Sequence, residues 1–238
     1  MDISFYTAGV GAKAQQAKMD VLGNNMANVN TAGYKRQSAG FVDLLYSNIR
    51  EPEATDTQLK VGSGTRMEKT DIKFTSSGLQ STDNPTDYAI TGEGFFAVQD
   101  PANNQIYYTR DGSFQSSLRA DGEFYLVTGG GQLVLDKEVQ PIKLGKDNAG
   151  TEKLPGIFDF QLKDGMLLQG NNLFSPVAKN GPPILMEDAQ PTSGYLEMSN
   201  AEVGDEMVKL IETQRAYSMN LKMIQTADQI EEIINNLR

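Results

Sequence analysis

SNAEVGDEMVKLIETQRAYSMNLKMIQTADQIEEIINNLR, residues 199–238, decides how the rest of the chain is read. From Asp205 onward it holds no proline and no glycine, so nothing interrupts an α-helix that would run roughly 50 Å at 1.5 Å per residue. Val203, Met207, Leu210, Tyr217, Leu221, Ile224, Ala227, Ile230, Ile234 and Leu237 form an apolar stripe, with Gln214 on the seam between Leu210 and Tyr217. The spacing starts near the heptad and slips to steps of three around Ile224 to Ile230. That pattern predicts a coiled-coil stripe with a local irregularity. Ser199 and Glu202 have the spacing of a capping box at its start.

The opposite end of the chain offers a partner. Ile3, Tyr6, Val10, Ala14, Ala17 and Val21 recur at steps of three and four, the spacing of one helical face. Gly9, Gly11 and Gly23 each cost about 1 kcal/mol against alanine inside a helix, so this segment needs packing to hold it. It should fade at Asn28 to Asn30 and break at Gly33. Residues 1–36 hold four bases and two acids, whereas residues 196–238 hold four bases and eight acids. The opposite signs favour the two ends meeting.

Between them the pattern changes. DYAITGEGFFAVQD (87–100) has two short apolar runs around Gly92-Glu93-Gly94. NQIYYTRDGSFQ (104–115) reads as a strand, an Asp111-Gly112 turn and a return strand, and LRADGEFYLVTGGGQLVL (118–135) repeats the theme. Residues 146–153 and 176–191 read as loops. The expected fold is α+β. Residues 1–36 and 199–238 form a helical polymerisation domain that pairs as a coiled-coil stalk, and residues 37–198 form a β-rich body of hairpins. Helices from opposite ends of a chain closing a β-rich body are a device for assembly.

Composition excludes much chemistry. The formal charge is −10 and the pI about 4.6, which leaves no basic field for nucleic acid. The chain has no cysteine and no histidine, which removes disulfides, the Ser-His-Asp triad, the Cys-His pair and the HExxH zinc site. Glu187-Asp188 and Glu231-Glu232 are adjacent acids that read as solvated surface. Gly62-Ser63-Gly64-Thr65 and Gly129 to Gly131 lack the Gly-Lys-Ser/Thr of a phosphate loop and read as turns. No active site, cofactor or metal is expected. No apolar run is long enough to span a membrane, and the N-terminus does not read as a cleavable leader.

LGNNMANVNTAGYK (22–35) resembles the N-terminal signature of the bacterial flagellar axial proteins, the rod and hook subunits. Asn24, Asn25, Ala27, Asn28, Thr31, Gly33, Tyr34 and Lys35 fall on its positions. QRAYSMNLKMIQTAD (214–228) is similar to the family's closing helix, with Gln214, Arg215, Ala216 and Tyr217 at its centre, and GYLEMSN (194–200) precedes it. FVDLLYSNIREP (41–52), VGSGTR (61–66), ITGEGFFAV (90–98) and YTRDGSF (108–114) most resemble the distal-rod branch. The link Glu51 to Lys60 is shorter than that branch generally carries, and 144–191 is compressed. A proximal rod or hook subunit is therefore the alternative within the family.

The resemblance implies a structural subunit of the basal-body rod, exported through the flagellar export apparatus without a cleaved signal. It implies an extracytoplasmic place in the basal body, with other copies and other rod and hook subunits as partners. The residues it places at the polymerisation interface are Ile3, Tyr6, Val10, Ala17, Val21, Asn24, Asn25, Asn28, Thr31, Gly33 and Tyr34 at one end. At the other they are Met207, Leu210, Gln214, Arg215, Tyr217, Leu221, Ile224, Ile230 and Ile234. From different classes, a non-flagellar surface stalk or adhesin would need an anchor, and a glycan-cleaving enzyme would need two carboxylates about 5 to 9 Å apart in a cleft.

Overall fold

A computed structural model describes residues 3–48, 60–144 and 153–237. It is α+β and divides into two compact units. One comprises Met1–Ala27, Gln37–Asp71 and Val203–Arg238, the other Asn28–Arg36 and Ile72–Glu202. These boundaries differ from those expected: residues 28–36 belong with the body, and 37–71 with the helices. The short link and most of the loop at 146–153 lie outside the described residues.

The first unit is built on two helices, α1 (Ile3–Ala27) and α2 (Val203–Asn236). They pack against each other antiparallel. Asn25 reaches Glu206 near one end, and Gly11 lies against Asn220 further along. The helix expected to fade at Asn28 does stop there. The capping box does not form: α2 starts four residues after Ser199, whose hydroxyl accepts the Ala201 N–H at 3.2 Å. Asp205 and Glu206 occupy the first turn instead, where carboxylates suit the positive end of the helix dipole.

Four strands complete this unit: β1 (Gln37–Asp43), β2 (Tyr46–Asn48), β3 (Lys60–Gly62) and β4 (Thr65–Ile72). β1 pairs with β4, and β2 with β3. Gly64 turns the chain between β3 and β4 at φ +99, and a Cβ there would lie 3.3 Å from Val10 Cγ1. The glycine of VGSGTR therefore serves both a left-handed turn and close packing on α1.

The second unit holds β5 (Leu79–Ser81), β6 (Tyr88–Ile90), β7 (Phe95–Gln99), β8 (Ile106–Thr109), β9 (Gln115–Leu118), β10 (Phe124–Val127) and β11 (Leu133–Val134). After them come β12 (Lys143–Leu144), β13 (Ile157–Asp159), β14 (Leu167–Gly170), β15 (Leu173–Ser175), β16 (Ile184–Leu185), β17 (Pro191–Ser193) and β18 (Tyr195–Glu197). The main sheet runs β9-β10-β11-β7-β8-β15-β14, with β12 also on β10 and β13 joining β7 to β16. β7 lies at its centre. Phe96 and Val98 enter one apolar cluster, Phe95 and Ala97 the other. Both faces are covered, which is why GFFAV reads as a continuous apolar run rather than an alternating one.

Two expected hairpins form. Asp121-Gly122 joins β9 to β10, with Gly122 at φ +78, and Gly129 to Gly131 joins β10 to β11. The turn at Asp111-Gly112 does not return its strand to β8, because β9 pairs with β10. A Cβ on Gly112 would lie 1.6 Å from the Tyr88 carbonyl oxygen, so that turn is committed to packing on β6. Residues 176–191 are not all loop. A 3-10 turn (Ala178–Asn180) and β16 fall inside them, and Pro191 opens β17.

Candidate functional site

With assembly as the expected function, the candidate site is a surface, and it starts from what the helices leave uncovered. The α1–α2 seam is built from small and polar residues. Ala8, Ala12, Ala14, Leu22 and Asn25 are buried on α1, and Glu206, Thr213 and Ala227 on α2. A Cβ on Gly11 would sit 3.1 Å from Asn220 Nδ2, so the glycine that weakens α1 as an isolated helix is what admits α2 so closely.

Asn25 is fully buried and saturated. Its Nδ2 donates to the Gln37 carbonyl at 2.8 Å and to the Glu206 carboxylate at 3.0 Å, and its Oδ1 accepts the Gln37 N–H at 2.9 Å. Lys209 pairs with Glu206 at 2.9 Å. A buried carboxylate is tolerated when paired and hydrogen-bonded in this way.

The large apolar residues lie elsewhere on α2. Met207, Ile211, Met219, Ile230, Ile233 and Ile234 are each about half exposed or more. Of the residues expected at the interface, Leu210, Tyr217 and Ile224 are half-buried, while Met207, Gln214, Arg215, Leu221, Ile230 and Ile234 are exposed. On α1, Val10, Ala17 and Val21 are half-buried, and Ile3, Tyr6 and Asn24 are exposed. The residues of the expected stripe are thus divided between the seam and the surface. A helix apolar on faces that its own partner does not cover has room for further neighbours.

The signature residues after α1 turn inward within the second unit. Asn28 and Thr31 close a turn, with Thr31 N–H donating to the Asn28 carbonyl at 3.1 Å. Gly33 has φ +66, and a Cβ there would lie 2.4 Å from backbone atoms of Arg110 and Asp111. Its N–H donates to the Glu197 carbonyl at 2.8 Å, and Tyr34 is buried. Only glycine fits this position.

Beneath it sits a buried ionic cluster that sequence reasoning missed. Glu197 accepts from Lys35 Nζ at 2.6 Å and from an Arg110 guanidinium nitrogen at 3.1 Å. All three side chains are about 98 % buried or more. Lys35 also donates to the Thr75 carbonyl at 2.8 Å, Arg110 to the Gly92 carbonyl at 2.9 Å, and the Ser77 N–H reaches Glu197 at 3.1 Å. Arg110 lies 5.5 Å from the Phe95 ring centre, a cation–π distance. Burial pushes the Lys35 ammonium below the usual lysine range, against the pull of Glu197. The cluster ties together three chain segments far apart in sequence. The signal for it was present, since Lys35, Arg110 and Glu197 each fall in a stretch that resembles the axial proteins, but no spacing relates them.

A polar cavity of about 420 Å³ opens on the second unit, lined in part by Thr109, Asp111, Ser113, Gln132, Asn171 and Asn172. It brings amides, hydroxyls and one carboxylate together, and Asp111 is occupied by the Ser113 N–H at 2.9 Å. Among the described residues no cluster of metal ligands forms. No helix among them is long and apolar enough to cross a membrane.

Three family models match the chain. Residues 5–35 match "Flagella basal body rod protein", 89–152 "Flagellar hook protein FlgE/F/G D1 domain" and 192–237 "Flagellar basal body rod FlgEFG protein C-terminal". The chain is 35% identical to the flagellar basal-body rod protein FlgG of Buchnera aphidicola subsp. Acyrthosiphon pisum, covering 98% of this chain and 99% of that one. It belongs to the flagellar basal-body rod family. FlgG of Borreliella burgdorferi is 34% identical over 99% of this chain and 98% of its own length. Flagellar basal-body rod protein FlgF of Mesorhizobium japonicum is 29% identical, covering 100% and 98%.

As a member of this rod family the protein is a structural subunit and not an enzyme. The matched ends, 5–35 and 192–237, take in α1, α2 and the signature turn. The match at 89–152 carries Arg110 and the centre of the sheet. The FlgG alignments extend over 270 and 273 residues for a chain of 238, so they open gaps in this chain.

Proposed function

We propose that the subunit polymerises into a tubular rod through the exposed faces of α1 and α2. In this reading the two helices pair as a coiled coil within the subunit and meet helices of neighbouring copies outside it. The observation that carries it is the row of large apolar side chains on α2 that α1 does not cover, from Met207 to Ile234. Asn25, Gly33 and Tyr34 serve assembly indirectly, by fixing the chain on either side of the helix terminus. The partners are further copies and other rod and hook subunits, reached through the flagellar export apparatus to an extracytoplasmic place in the basal body.

Similarity to FlgG proteins supports the distal part of the rod. A place elsewhere in the rod is the second reading, favoured by the FlgF relative, whose alignment of 248 residues lies nearer this chain's own length.

Deletion of residues 207–238 tests the reading. Electron microscopy and sedimentation should show tubes or fibres for the full chain at high concentration and none for the truncated one. Circular dichroism should still report β structure in the truncated chain. Normal rods from the truncated chain would overturn the proposal.

A further inference from the structure

We infer that Asn180-Gly181 is a self-modification site governed by folding. It is inert while the second unit is closed, is converted to aspartate or isoaspartate in chains that stay open, and bars closure once converted. The inference goes beyond polymerisation and uses no residue of α1 or α2. Asn180-Gly181 is the one Asn-Gly pair in the chain. Glycine has no Cβ, so the backbone nitrogen that follows the asparagine is unshielded.

The reaction needs only water. The Gly181 nitrogen attacks Asn180 Cγ, a new N–C bond forms, and the Cγ–Nδ2 bond breaks. Nδ2 leaves as ammonia, taking the proton from the Gly181 nitrogen, and a five-membered succinimide remains. Water then opens the ring at one of its two carbonyl carbons. Cleavage at the side-chain carbon gives aspartate; cleavage at the main-chain carbon gives isoaspartate, which adds an atom to the backbone. Nothing is oxidised or reduced.

In the folded unit the same amide is pinned. Asn180 ends the 3-10 turn and is fully buried. Its Oδ1 accepts the Val177 N–H at 2.7 Å, and its Nδ2 donates to the Leu162 carbonyl at 2.7 Å and the Asp164 carbonyl at 3.1 Å. Turning Cγ onto the Gly181 nitrogen breaks these bonds, so conversion waits on opening of the segment. Gly181 takes φ +77, a left-handed value that favours glycine. The fold therefore calls for both residues, and their reactivity comes with them.

Conversion removes the amide's two donated bonds. A carboxylate oxygen then faces the Leu162 and Asp164 carbonyls, acceptor against acceptor, and a negative charge enters a buried site. The segment that carries those carbonyls has little room to yield. Phe160 and Met166 bracket it, and both are buried in the second apolar cluster. A chain converted while open is thereby removed from the folded pool.

The full-length chain is held at one pH and temperature in buffer and in guanidinium chloride. Peptide mass spectrometry follows residue 180, where amide-to-acid conversion changes the mass. Conversion in buffer should be slower by about a hundredfold or more, the protection that a packed region gives. A partly converted denatured sample is then diluted to refold and treated with protease. The converted form should be depleted about tenfold or more in the resistant fraction. Isomerisation at Asp111, Asp121 and Asp164, each also followed by glycine, falls on both forms alike and leaves their masses unchanged. The full-length Asn180→Asp variant should likewise give little resistant protein. Equal conversion rates in buffer and denaturant would overturn the inference. So would converted chains that refold as well as unconverted ones, or an Asn180→Asp variant as resistant as the parent.

Discussion

Replacing Glu197 by glutamine is expected to destabilise the second unit by about 3–5 kcal/mol, the range for removing one partner from a buried ion pair. Two buried cations, Lys35 and Arg110, share this one carboxylate. Taking its charge away leaves both without compensation, in a site where Arg110 Nε has no hydrogen-bond partner among the described residues. Lys35→Met should cost clearly less. It removes the cation whose protonated form burial disfavours and leaves one carboxylate facing one guanidinium. Urea unfolding followed by tyrosine fluorescence would measure both variants. Equal losses would show that charge balance is not what the cluster supplies.

The second large effect lies on α2. Changing Ile230, Ile233 and Ile234 together to lysine should leave the unfolding of the free subunit nearly unchanged, because all three are more than half exposed there. Assembly should fail. Fully burying an exposed isoleucine side chain contributes roughly 1.5–3 kcal/mol, and rather more than half of each is still exposed here. The three together contribute about 2.5–5 kcal/mol, or at least about fiftyfold in the concentration needed to polymerise. Sedimentation at rising concentration, with circular dichroism as the folding control, reads both quantities. Unaltered assembly would remove α2 from the interface, whereas a lost fold would place these residues in the subunit's own core.

The helices were legible in sequence because periodicity and the lack of glycine and proline report on local structure. α1 ends where its asparagines accumulate, and α2 runs nearly to the end of the chain. Which face each helix buries was less legible. Of the expected stripes Ala14 and Ala227 are buried, but most of the large apolar members are not, and the seam is otherwise lined by Ala8, Gly11, Ala12, Glu206, Thr213 and Asn220, which suit close approach and hydrogen bonding.

The same gap appears in the body. Asp121-Gly122 and Gly129 to Gly131 announce hairpins because turn chemistry is local. What turn chemistry does not show is that the Asp111-Gly112 turn fails to pair its two strands: Gly112 packs on Tyr88, and no reading of neighbouring residues supplies that contact. Lys35, Arg110 and Glu197 are the extreme case, since their positions in sequence carry no common period. Ser199 and Glu202 show the reverse error. A capping box is a local motif, but the Ser199 carbonyl accepts the Ser77 hydroxyl at 2.9 Å and Asn200 is tied to Lys73 at 2.6 Å, so the chain enters the helix later.

The central claim is that the exposed apolar face of α2 is the contact between subunits. Electron cryomicroscopy of rods assembled from the full chain, at a resolution that places side chains, tests it most directly. Ile211, Ile230, Ile233 and Ile234 should be found buried against helices of neighbouring copies, with Asn25 and Glu206 still paired inside each subunit. A map in which those isoleucines face solvent, while copies touch only through the sheet unit, would contradict the account.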